Sequence, residues 1–380
     1  MFHERVTRLQ AELQARGVQA AALMPGPNLR YLTGLDFHLM ERPTVGFFPA
    51  EGAPVFAVPG LEQAKFDAGS PLDYEVEVFT YSDEEGPAEA FRRAMDALPE
   101  LHELAVEHLR MRVAELRLVQ RHAPNAVLHN ADPIMDALRV RKDANEIELM
   151  RQAIAITEKA LAEVIAGVRL FDTERAIAGR LRTALIEHGG EALPFEPIVL
   201  AGPRAALPHG VPSDRPVRMG DVLLIDFGTS YGGYISDITR TFVVGLPLEG
   251  RNRDVYEAVK AANQAGREAA RPGATAQDVD RAARKVIEEA GFGEYFIHRT
   301  GHGIGLDAHE GPYIVEGNDV VLEPGMTFTV EPGIYIPGEI GVRIEDDVLI
   351  TPDGAESLTT FDRELIRLDP RERPPFVCEN

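Results

Sequence analysis

Two stretches of this chain share one build, and together they dictate most of what it can become. In VLLIDFGTSYGGYISDITRTFVVG, residues 222–245, an apolar strand ends in Asp226, and a glycine-rich turn leads to Asp237 and a return strand. MTFTVEPGIYIPGEIGVRIEDDVLI, residues 326–350, repeats the plan with Glu331 and Glu345. The second acid follows the first by 11 positions in one unit and 14 in the other. An ionised carboxylate at the end of an apolar strand is costly to bury unless a cation compensates it. Two such hairpins facing each other bring four carboxylates to one place.

A third segment supplies a different donor. HRTGHGIGLDAHEGP holds His298, His302 and His309 within twelve positions, and glycines flank His302 so that backbone can come close to a site. Four carboxylates with one imidazole form the ligand set of a two-metal hydrolytic centre. Mostly oxygen ligands favour Mn²⁺, with Co²⁺, Fe²⁺ and Zn²⁺ as alternatives. The glycines of GHGIGLD do not suit a dinucleotide loop, which should follow a strand, open a helix and precede an acid on the next strand.

The rest of the chain sets the architecture. A length of 380 residues suits two domains. Phe2, Val6, Leu9 and Leu13 recur at helical spacing before Gly17. Alternating strands and helices then fill the first 135 or so residues, which reads as a small α/β domain. RVRKDANEIELMRQAIAITEKALAEVI is a long amphipathic helix with Asp143 or Asn145 as its cap. The domain boundary falls just before it, giving residues 1–138 and 139–380. The second domain alternates helices (173–188, 252–270, 275–290) with strand pairs (221–244, 326–350). The proline-rich tail DPRERPPFV is either disordered or docked in extended form.

Charge and cysteine narrow the setting. The formal charge of −22 repels nucleic-acid backbones and anionic membranes, so neither is an expected partner. Cys378 stands alone, which forbids an intramolecular disulfide and suits a reducing compartment. The N-terminus has no uninterrupted apolar core of the secretory kind, so a cytoplasmic protein is expected.

ALPHGVPSD (206–214), IDFG (225–228), SDITRTF (236–242), TGHGIGLDAHE (300–310), EPGIY (331–335) and GVRIED (341–346) together resemble the pita-bread metallopeptidases, specifically their Xaa-Pro branch of prolidases and aminopeptidase P. The resemblance implies an α/β (α+β) chain: a creatinase-like N-terminal domain, then a pita-bread domain with pseudo-twofold symmetry. It implies two divalent ions. Asp226 would chelate one, Asp237 and Glu345 would bridge both, and His302 and Glu331 would bind the other, with Glu331 also accepting a proton. His209 matches a histidine near the substrate carbonyl, His309 one that bonds the scissile group, and His298 one lining the proline pocket. Arg343 and Tyr335 match positions behind the ligands or in the pocket, and Thr239 a metal-side hydroxyl. The family's N-terminal domains narrow the site mouth, often across a homodimer, so Arg42 in YLTGLDFHLMERP becomes a candidate for a dipeptide's free carboxylate.

The activity so implied is hydrolysis of the Xaa-Pro bond at peptide N-termini. A dipeptidase is favoured because the tract 206–243 resembles the short prolidases. Aminopeptidase P, acting on longer peptides, is the alternative. Methionine aminopeptidase shares the five ligands but usually lacks the N-terminal domain. Creatinase-like hydrolases and binding modules on this scaffold usually lose ligands that this chain keeps.

Overall fold

The computed structural model describes residues 1–67 and 69–370; Cys378 and the end of the proline-rich tail, 371–380, lie outside the described residues. The chain forms two compact units, Met1–Arg139 and Val140–Asn380. No helix among the described residues is long and apolar enough to cross a membrane.

The first unit is one sheet with helices. Helix α1 (Phe2–Ala15) buries Val6, Leu9 and Leu13 along the stripe that their spacing predicts. The strands are β1 (Ala20–Leu23), β2 (Val45–Pro49), β3 (Val55–Pro59), β4 (Glu77–Tyr81), β5 (Glu103–Val106) and β6 (Val127–Asn130), and they stand in the order β4-β3-β2-β1-β5-β6. β1, β2 and β3 are buried on both faces, hence their unbroken apolar runs AAAL, VGFFP and VFAVP. Helices α2 (Pro27–Thr33), α3 (Ala88–Asp96), α4 (Val113–His122) and α5 (Asp132–Arg139) complete the unit. Phe91 of α3 meets Phe47 of β2 edge-on at 6.3 Å.

The second unit opens with α6 (Ala144–Ala166). Its cap is Asp143, whose Oδ1 accepts from the N–H groups of Asn145 and Glu146 at 2.9 Å, while Glu146 reaches back to the Asp143 N–H at 2.8 Å. This reciprocal box settles the choice between Asp143 and Asn145. Helix α7 (Glu174–Glu187) and strands β7 (Ile198–Ala201), β8 (Val222–Phe227), β9 (Ser230–Tyr231), β10 (Tyr234–Ile235) and β11 (Ile238–Val244) follow. Then come α8 (Gly250–Ala269), α9 (Ala276–Glu289), β12 (Gly301–Gly303), β13 (Glu310–Ile314), β14 (Thr327–Val330), β15 (Gly333–Ile336), β16 (Ile340–Arg343), β17 (Asp346–Thr351), β18 (Gly354–Ser357) and β19 (Arg367–Leu368). The two halves share one plan. A helix pair precedes an antiparallel strand pair, β8 with β11 or β14 with β17, and a small hairpin, β9–β10 or β15–β16, sits between the paired strands.

Period-two alternation then aims the acids. On β8, Leu223, Ile225 and Phe227 pack into the core under α6 and α7 with Leu161, Ile177 and Leu181. Asp226 has the opposite parity and points to the other face. On β11, Ile238 and Phe242 enter the same core, which turns Asp237 and Thr239 the other way. On β14 and β17, Phe328, Val330, Val348 and Ile350 pack against Val279 of α9, which leaves Glu331, Glu345 and Asp347 on the opposite parity. Each fully buried Leu, Ile or Phe stabilises this arrangement by about 1.5–3 kcal/mol. The apolar alternation is what keeps the carboxylates facing inward.

Candidate metal centre

Asp226 lies opposite Thr239 in the β8–β11 ladder. Its Oδ2 accepts a short hydrogen bond from Arg343 Nη2, and its Oδ1 is buried with no hydrogen-bond partner. The Asp237 N–H donates to Asp347 Oδ2 at 3.1 Å, and Asp237 Oδ1 is likewise buried and unpartnered. Thr239 Oγ1 donates to Glu345 Oε2 at 2.6 Å. Glu331 is placed by its own N–H, which donates to the Thr300 carbonyl at 2.7 Å. His302 sits on β12 between glycines. A Cβ on Gly301 would fall 1.9 Å from the Thr329 carbonyl, so only glycine lets that strand lie against β14. Asp237, His302 and Glu345 offer ligand atoms that all lie within 4.8 Å of one another.

The histidine shows what this cluster requires. His302 Nδ1 lies 3.1 Å from the Gly303 carbonyl oxygen, an acceptor only, so Nδ1 carries the proton. Burial pushes the ring's pKa down to about 3, with the nearby His309 adding to the effect, so the ring is neutral. Its Nε2 lone pair therefore points at carboxylate oxygens, 3.3 Å from Glu331 Oε1 and 4.0 Å from Asp237 Oδ2. With Glu331 ionised, acceptor faces acceptor. Burial also raises the carboxyls of Asp237 and Glu345 well above the usual range, reinforced in each case by the neighbouring acids. Glu331 is pushed up to about 7 by burial, against the pull of the Arg343 charge. A divalent cation among Asp237, His302 and Glu345 would relieve the crowded carboxylates and the unpartnered Asp237 Oδ1, so these residues fit a metal.

Neighbouring side chains hold these candidate ligands in place. Arg343 donates through Nε to Thr239 Oγ1 at 3.1 Å and through Nη1 to Tyr335 Oη at 2.8 Å. His298 Nδ1 faces the Arg299 carbonyl at 2.6 Å, so Nε2 is the acceptor for the Tyr335 hydroxyl at 2.9 Å. Burial and then the Arg343 charge lower His298 to about 4, and burial raises Tyr335 to about 12. Arg343, Tyr335 and His298 thus form one directed chain of donors, with both ring nitrogens of His298 in use. His309 stays exposed, its ring meeting that of His302 at a 4.1 Å centroid distance. His209, on the exposed turn after the 3₁₀ segment Gly202–Ala206, acts electrostatically on both His298 and His309. Arg42 belongs to the first unit, where its guanidinium is gripped by Asp83 at 2.7 Å and Glu41 at 2.6 Å.

Two features escape a reading of the sequence. Asp347 holds the Asp237 main chain and keeps a buried, unpartnered Oδ1 of its own. Behind it, fully buried Arg240 donates to the Thr239 and Glu345 carbonyls at 2.9 and 2.6 Å and to Asp346 Oδ1 at 2.7 Å. Burial works against ionising Asp346, yet Arg240 and Arg363 hold its carboxyl below the usual range. The available signal was the acid triplet 345–347 on an apolar strand: alternation must send its middle member away from its neighbours.

Comparison with known proteins agrees with this geometry. Residues 148–352 match the family model described as Metallopeptidase family M24, and residues 5–141 match the Creatinase/Prolidase N-terminal domain. A probable dipeptidase, PepE, of Mycobacterium tuberculosis is 37% identical, with 96% of each chain covered. An Xaa-Pro dipeptidase of Lactobacillus helveticus is 38% identical over 94% of this chain and 97% of its own. The crystal structure of a prolidase from Thermococcus sibiricus superposes with a TM-score of 0.92 at 39% identity, covering 97% of this chain and 99% of that one. With a buried acid–histidine cluster suited to divalent metal and a family match over more than half its length, this chain belongs to metallopeptidase family M24 and carries that family's creatinase/prolidase-type N-terminal domain.

Proposed function

We propose that this chain hydrolyses the Xaa-Pro bond of dipeptides, with two divalent ions, Mn²⁺ foremost, held by Asp226, Asp237, His302, Glu331 and Glu345. The observation that carries the reading is the neutral His302 whose Nε2 lone pair faces Glu331 and Asp237. The Xaa-Pro dipeptidase and prolidase relatives support the substrate class. Bound divalent ions supply Lewis-acid polarisation of the scissile carbonyl and bring the pKa of water towards neutrality.

The chain's own residues do the rest. Glu331 takes the proton of the attacking water and returns it to the proline nitrogen as the bond breaks. His309, exposed beside His302, donates a hydrogen bond to the oxyanion of the tetrahedral intermediate. His209 is the second imidazole on the substrate side and orients the carbonyl. The Arg343–Tyr335–His298 chain forms a rigid wall beside Asp226. A proline ring has no amide N–H and a fixed φ, so such a wall selects it by shape.

Hydrolysis of Ala-Pro and of Ala-Pro-Ala-Ala, measured side by side with Mn²⁺ and after EDTA, tests this. Metal-dependent cleavage of the dipeptide, abolished by Asp237→Asn, is the expected result. Cleavage of the longer peptide at least as fast moves the reading to an Xaa-Pro aminopeptidase. Loss of both substrates despite bound metal overturns the Xaa-Pro assignment.

A further inference from the structure

One buried ion pair has no part in the chemistry above. The Lys142 ammonium, just ahead of α6, donates to Glu310 Oε1 at 2.6 Å. The two side chains are only 1% and 5% exposed. Taking both charges out of water commonly costs as much as their attraction returns, and an apolar pair of similar volume would stabilise the fold as well or better. What such a pair does supply is a fixed, directional connection. Lys142 is itself anchored, because its N–H donates to the Gly325 carbonyl at 2.8 Å and the next residue caps α6.

At the other end, the turn 304–310 wraps closely around the pair. The Asp307 N–H lies 3.4 Å from Glu310 Oε2, and the Gly305 N–H donates to the Asp307 carbonyl at 3.1 Å. A Cβ on Gly305 would lie 2.8 Å from Glu310 Oε1 and 2.9 Å from Lys142 Cε, so a side chain there would have to displace the ends of the paired residues. Glu310 begins β13, and its predecessor is His309. The two are neighbours in the chain, one buried and the other exposed, with the His309 ring meeting His302. Fixing Glu310 therefore fixes the main chain from which His309 projects.

We infer that the Lys142–Glu310 pair is a positioning device for His309, tying the 304–310 turn to the start of α6 so that the His309 imidazole stays beside His302. The inference rests on the catalytic part given to His309 above. Lys142 and Glu310 are positioning residues.

The test is a double-mutant cycle between positions 310 and 309, using full-length protein loaded with Mn²⁺. Glu310→Gln is expected to keep its metal content, while its unfolding temperature falls because Lys142 is left buried without its counter-charge. Its kcat on Ala-Pro falls by about tenfold to a hundredfold, as displaced catalytic groups commonly show, while KM stays within about twofold. In a His309→Ala background the same change costs less than about twofold, because the group it positions is already gone. A readout apart from activity is the rate at which diethyl pyrocarbonate modifies His309, followed by peptide mass; Glu310→Gln should raise it severalfold. Losses at 309 and 310 that multiply, or an unchanged modification rate, overturn the inference. If Glu310→Gln does not fold, the chain with Lys142→Met and Glu310→Met removes both charges together and carries the same comparison. If the wild-type chain cleaves no Xaa-Pro peptide, the proposed function fails while the modification rate still decides whether the pair holds His309.

Discussion

His302 Nε2 lies 3.3 Å from Glu331 Oε1, a lone pair set against a carboxylate oxygen, because the Gly303 carbonyl takes the ring's only proton at Nδ1. With Glu331 ionised and no cation, this contact is repulsive. A divalent ion placed there would take both groups as ligands.

The pH dependence of the metal-free protein follows from the burial of Glu331. Glu331 is raised from 4.5 to about 7. In the folded chain it holds its proton where the unfolded chain has lost it. The stability it contributes is thus fully present below pH 4.5 and is lost as pH climbs to about 7. Metal-free Glu331→Gln escapes this loss, so its advantage over the wild type in thermal unfolding should be larger at pH 8 than at pH 4.5. With saturating Mn²⁺ the order should reverse, because the variant lacks one of the proposed ligands.

Thr239 joins Arg343 to Glu345 through one hydroxyl, accepting at 3.1 Å and donating at 2.6 Å. Thr239→Val keeps the volume and removes both bonds. Metal affinity, read by calorimetric titration with Mn²⁺, should fall by about tenfold to a hundredfold. Affinity within error of wild type would assign Thr239 to packing alone.

Tyr335→Phe breaks the donor chain between Arg343 and His298 and leaves the acid cluster in place. The expected signature is a raised KM for Ala-Pro at unchanged metal content. A fall in metal content would instead show that the hydroxyl acts through Arg343 on Asp226.

Arg240 is buried and satisfies three carbonyls and one carboxylate besides its own strand. Arg240→Met leaves Asp346 without that charge and frees the Glu345 carbonyl. Urea unfolding should show a loss of about 3–5 kcal/mol, the usual cost of removing one member of a buried pair. Arg240→Lys should recover only part of it, because an ammonium cannot reproduce the fork.

The sequence determined the acids and the histidine of the candidate site and the strand plan that presents them. Apolar strands ending in Asp226, Asp237, Glu331 and Glu345, with His302 between glycines, were legible because alternation and burial cost are local properties. The helix stripe of α1 was legible for the same reason, although only the hydrogen bonds chose Asp143 over Asn145 as the cap of α6. Tertiary structure alone decided which atoms meet. Arg343 meets Asp226 and Thr239 across 117 and 104 positions, His302 Nε2 meets Asp237 on a strand of the other half, and the partner of Lys142 lies on a turn 168 positions away. Such contacts depend on how separate elements pack, and no local pattern of residues encodes that distance.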